Sequence, residues 1–186
     1  MKRVLRRLNS VHEKLLGVVS PLGPETYSQR PAEGEWSVAE IVHHLCLVEE
    51  RVIRELEGAI SRPPQRVGFL RKLIPTAIVS VRLIRVKAPG AVKPQDAPAK
   101  DLGIENLDRA RNNLKTLCAT HDHGRFRQLV FKHPFLGNID GVATVSFVGY
   151  HEQRHYKQIR EVLRKLGNAK RKSNQPRMDA DKRGLE

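Results

Sequence analysis

Apolar residues recur along most of this chain at intervals of three and four, the period of a helix with one buried face. Val4, Leu8, Val11, Leu15 and Val18 form such a stripe and predict a first helix over about residues 3–19. A second stripe, Val38, Ile41, Leu45, Val48, Val52 and Ile60, predicts a helix that ends near Ser61 to Pro64. Its start is marked twice. Ser37 with Glu40 three residues later has the form of a capping box, and Trp36 with Ile41 that of a hydrophobic staple. Ile104, Leu107, Ala110, Leu114 and Leu117 predict a third helix over about 101–119, with Gly124 as a stop after it. Val142, Val145, Val148, Ile159, Val162 and Leu166 predict a fourth over about 139–166. Pro21, Gly23, Pro24, Pro31 and Gly34 read as a loop over 21–35, and no stretch calls for a strand.

Four helices with one apolar stripe each bury those stripes most simply against one another, so the expected fold is all-α, a four-helix bundle. One domain over 1–167 is expected, followed by a polar, basic, disordered tail at 168–186. Between the second and third helices lies a basic insert, 62–100. Within it, 65–87 reads as a short helix or helical hairpin, and 87–98, with three prolines and Gly90, as an extended connector. Phe69, Leu73 and Ile78 suit it either to close the bundle's mouth or to meet a second copy in a homodimer.

The net charge of +14 raises the question of an anionic partner. Its distribution argues against one. Residues 62–100 hold 9 basic against 1 acidic side chain and 164–186 hold 8 against 3, whereas the rest is almost neutral. A nucleic-acid binder more often carries a basic stripe across its folded elements. The most apolar run, Leu73 to Val81, is interrupted by Pro75 and falls short of the ~20 residues a membrane span needs. The first 20 residues carry charges throughout and have no signal-peptide core. Cys46 and Cys118 are far apart, with no metal or disulfide spacing. A cytoplasmic protein is expected.

The fourth stripe is interrupted by His151 and His155, which fall on its buried side at about 100° per residue. On the second helix the same arithmetic turns His44 inward and His43 outward. Buried imidazoles need partners. Each ring can be satisfied by Ser, Gln or backbone groups, or one divalent metal can serve all three, with two ligands from successive turns and a third from a facing helix.

The remaining histidines read more plainly. His12 is expected at the surface, and His121 and His123 at the end of the third helix. His133 is expected to fix its His-Pro loop, or to approach the site from above. Gln158 is placed to orient a neighbouring imidazole. No Ser, Cys or Lys in the helices has an activating partner, so catalytic residues are left unassigned.

Trp36-Ser37-Val38-Ala39-Glu40 with His44 eight residues after the tryptophan, then His133-Pro134-Phe135-Leu136-Gly137, then His151-Glu152-Gln153-Arg154-His155 and Gln158-Ile159, resemble the DinB-like superfamily of bacterial four-helix proteins. The resemblance runs from the first helix to about Gly167. It implies a divalent metal (zinc, nickel or iron) held by His44, His151 and His155. It further implies a metal-dependent enzyme acting on a small molecule, either a hydrolase or a transferase using a low-molecular-weight thiol. The alternative is a non-catalytic scaffold whose insert and tail contact nucleic acid or an anionic surface. A metal with a purely structural task would ordinarily show a fourth protein ligand.

Overall fold

The computed structural model describes residues 1–65, 92–133 and 137–173, without the side chains of 132, 133 and 170–173. Four long helices dominate it: α1 (Lys2–Val19), α3 (Val38–Ile60), α4 (Lys100–Thr120) and α6 (Gly141–Ser173). They are the four helices the apolar stripes predict. α3 packs on both α4 and α6, and α1 packs on α6. Leu8 and Leu15 of α1, Ile41 and Leu56 of α3, Leu107 and Leu114 of α4, and Ile159 of α6 are fully buried where these faces meet. The core divides into two apolar clusters, one around Leu8, Leu56, Leu114 and Val145, the other around Leu15, Ile41, Leu107 and Ile159.

The predicted capping box opens α3: Glu40 N–H donates to Ser37 Oγ at 3.2 Å and Ser37 N–H to Glu40 Oε2 at 2.8 Å. α6 begins where Asp140 Oδ1 accepts from Ala143 N–H at 2.8 Å. It continues to Ser173, past the expected end at Leu166, because nothing after Gly167 breaks a helix before Pro176.

Four small elements depart from that expectation. Within the predicted 21–35 loop, Pro24 starts a one-turn helix, α2 (Pro24–Ser28), that inserts Tyr27 beside Gly103 of α4, where a Cβ would stand 2.5 Å from the phenol oxygen. The side chain of Asp122 accepts from Gly124 N–H at 2.7 Å and starts α5 (His123–Phe126), so Gly124 lies in the first turn of a new element rather than stopping α4. Strands β1 (Val130–His133) and β2 (Gly137–Asp140) pair antiparallel, Val130 opposite Asp140 and His133 opposite Gly137. This hairpin corrects the strand-free reading. It alternates over only four residues per strand, and Phe131 and Ile139 on one face close the end of the core. Gly137 turns the chain at φ +66°, a conformation that favours glycine. All but the first residue of the expected helical insert over 65–87, with Phe69, Leu73 and Ile78, and the tail from 174 onward lie outside the described residues.

Candidate metal centre

α3 and α6 bring three imidazoles together. His44 is on the inward face of α3, and His151 and His155 occupy successive turns of α6. One nitrogen from each ring lies within 4.8 Å of the others. The Nε2 atoms of His151 and His155 are 3.3 Å apart. His44 and His155 are buried and His151 half-buried, so the cluster meets solvent on the His151 side.

Two of the rings are oriented by their outer nitrogens. His44 Nδ1 stands 2.7 Å from the carbonyl of Val92, and because a carbonyl only accepts, Nδ1 carries the proton and Nε2 keeps its lone pair. His155 Nδ1 donates to Gln158 Oε1 at 2.8 Å with the same consequence. Burial holds His44 below the ordinary imidazole value, against the pull of the Val92 carbonyl. His155 is held well below it, first by burial and then by His151 and His44 beside it. Neutral rings with inward lone pairs are the form in which histidine ligates a metal.

The donor set fits such an ion. Two nitrogens ligating one zinc-like ion at about 2.0–2.1 Å in a tetrahedral arrangement stand roughly 3.4 Å apart, close to the separation of the two α6 histidines. Among the described residues no fourth His, Cys, Asp or Glu joins the cluster. Trp36 covers one side, its ring centroid 5.1 Å from that of His44 and 6.5 Å from that of His155, and Phe147 lies 5.3 Å from His151. Trp36 thus walls the site as well as preceding the cap of α3. One turn before His44, a cleft of about 540 Å³ is lined by Ser28, Arg30, Ser37, Glu40, Pro94 and Asp96.

His133 ends β1, but its side chain and Pro134 to Leu136 lie outside the described residues, and the expected site-loop role falls there. Glu40 is held by Arg30 as well as by its capping box. His43 is half-buried, not turned fully outward: its Nδ1 is enclosed and has no hydrogen-bond partner among the described residues, and it is not part of the cluster.

His12 corrects the expectation of a surface residue. It is buried between Glu152, 2.9 Å from its Nδ1, and Asp108, 2.6 Å from its Nε2. Glu152 also meets Arg111, which meets Glu49, so a chain of buried charges crosses the bundle beside the histidines. The sequence reading missed these residues, although the arithmetic that exposed the histidines applies to them: Glu152 falls about 20° and Arg111 about 60° from the centre of their helices' apolar stripes. Val92, whose backbone orients His44, carried no comparable signal.

A sequence profile described as the DinB superfamily matches residues 7–159. YuaE of Bacillus subtilis (strain 168), itself uncharacterized, is 26% identical over 149 residues, 80% of this chain and 90% of its own. Among solved structures, YfiT from Bacillus subtilis, described as "a probable metal-dependent hydrolase with an unusual four-helix bundle topology", superposes with a TM-score of 0.62 at 17% identity, over 89% of this chain and 87% of that one. A four-helix bundle protein, TT2238, superposes with a TM-score of 0.58 at 22% identity, over 86% of this chain and 98% of that one. At these identities the superpositions establish the fold.

Proposed function

Because the chain belongs to the DinB superfamily and three of its imidazoles converge on one point, we propose that it binds a divalent metal through His44, His151 and His155 and acts as a metal-dependent enzyme on a small molecule. The carrying observation is that convergence, with His44 and His155 already oriented by Val92 and Gln158. When bound, such an ion supplies Lewis acidity and activates a small nucleophile. Three protein ligands are the pattern of catalytic sites, four that of structural ones.

The chain's own groups support this division of labour. Trp36 and Phe147 exclude water from two sides of the cluster. Burial pushes the thiol of Cys46 up to about 12 and that of Cys118 up to about 11, so neither is a nucleophile near neutral pH. Hydrolysis is the favoured reaction, in keeping with the description of YfiT.

The test is metal content of untagged protein, wild type against His44→Ala, His151→Ala and His155→Ala. About one equivalent in the wild type and loss in each variant is expected, and elemental analysis distinguishes zinc, nickel and iron. Metal retained in all three variants refutes the site. The loaded protein is then offered an activated ester, or glutathione, mycothiol or bacillithiol with an electrophile. Turnover of the ester alone supports hydrolysis, and thiol-dependent consumption of the electrophile supports transfer. Salt-sensitive DNA binding lost on deleting 168–186, without metal binding, would favour the scaffold alternative.

A further inference from the structure

Arg111 of α4 is 2% exposed, an uncommon position for a guanidinium. Its Nε and Nη2 donate to the two carboxylate oxygens of Glu49 on α3 at 2.7 and 3.0 Å. Nη2 also donates to Glu152 Oε2 on α6 at 2.9 Å, and Nη1 to the Leu8 carbonyl of α1 at 2.9 Å. The other oxygen of Glu152 faces His12 Nδ1, and Asp108 faces His12 Nε2. With carboxylates at both nitrogens the ring donates twice, as an imidazolium. Two buried glutamates and the more exposed Asp108 thus surround one guanidinium and one imidazolium, the buried groups drawn from all four long helices.

A buried cluster of this kind is a weak source of stability, because desolvation offsets most of the attraction and an apolar replacement often serves as well. Its placement suggests a different task. Glu152 directly follows His151 and precedes His155 by three residues, and Glu49 follows His44 by five. On α3 and on α6, therefore, a face bearing histidine and a face bearing carboxylate are rigidly related by the helix itself. One planar guanidinium joins the two carboxylates, and so holds the rotation of each helix against the other.

Resting on the metal reading above, we propose that Arg111 is a positioning residue for the histidine centre: by bridging Glu49 and Glu152 it sets the angle at which His44 meets His151 and His155. A binding constellation must be held to within about 0.5 Å and 10–20°. Lysine cannot replace this arginine, because a compact ammonium lacks the rigid fork that reaches both carboxylates and the Leu8 carbonyl at once.

The experiment is a cobalt(II) titration of the full-length protein, followed by visible absorption, which reports both affinity and coordination geometry. It compares the wild type with Arg111→Lys and with the triple variant Glu49→Leu, Arg111→Met, Glu152→Met. The triple variant removes the guanidinium and both glutamates together and leaves His12 its bond to Asp108, so it keeps the comparison decisive if lysine alone unfolds the bundle. Circular dichroism establishes that each is helical. The expected result is folded variants that bind cobalt about 10–100-fold more weakly, the range for loss of an orienting partner, with altered visible bands. Folded variants with the wild-type affinity and spectrum would overturn the proposal, leaving Arg111 a tie between helices and nothing more. A wild type that binds no cobalt would overturn the metal reading itself, and the proposal with it.

Discussion

Arg111→Ala removes the guanidinium between Glu49 and Glu152, whose side chains are 2% and 1% exposed. Two buried carboxylates then face each other with His12 as their neighbouring cation. Breaking a buried ion pair from one side costs about 3–5 kcal/mol, since the partner charge stays desolvated. Against a total stability of about 5–15 kcal/mol, that is a large share. For a chain of this size each kcal/mol corresponds to roughly 2–4 °C, so the melting temperature should fall by about 6–20 °C. Urea unfolding at pH 7, followed by far-ultraviolet circular dichroism and by the fluorescence of Trp36, measures the loss directly, and the slope with denaturant should be unchanged. The unpaired carboxylates can escape by taking up protons, so the defect relative to wild type should narrow as the pH is lowered. A loss below about 0.5 kcal/mol, the range of ordinary surface substitutions, would show that Arg111 does not neutralise Glu49 and Glu152 in the folded protein.

Burial works against the charge on His12, but the bond to Glu152 and that residue's charge, with the bond to Asp108, outweigh it and raise its pKa above the ordinary 6.5. The stability this residue contributes is therefore complete below about pH 6.5 and lost as the pH rises through its folded value. Urea midpoints of wild type and His12→Phe from pH 5.5 to 8.5 should converge upward, and a pH-independent gap would contradict the double hydrogen bond. Ser37→Ala breaks the capping box and should cost about 0.5–2 kcal/mol in thermal unfolding; no loss would mean that other contacts set the start of α3. Cys46 and Cys118 should resist a thiol-specific reagent at pH 8 in the native protein and react at once in urea, whereas fast native labelling would contradict their burial.

The long helices were legible because each carries its burial pattern locally: the α3 cap lies within four residues, and the α4 stripe predicts both its ends to within one residue of Lys100–Thr120. The histidines were legible for the same reason, as polar positions on an apolar face. What was not legible depends on partners distant in sequence. His12 looked superficial on α1 because Glu152 and Asp108, which bury it, lie 140 and 96 residues away. The β1–β2 hairpin is too short to show a period. The carbonyl of Val92 that orients His44 belongs to the backbone, which composition cannot mark.

On the function proposed above, His44, His151 and His155 hold one metal ion between them. Anomalous scattering from crystals of metal-loaded protein, collected at the absorption edge of the element found in it, tests this most directly. One strong peak is expected about 2.0–2.1 Å from a nitrogen of each ring, enclosed by Trp36 and Phe147. A peak elsewhere in the protein, or none among these three rings, would contradict it.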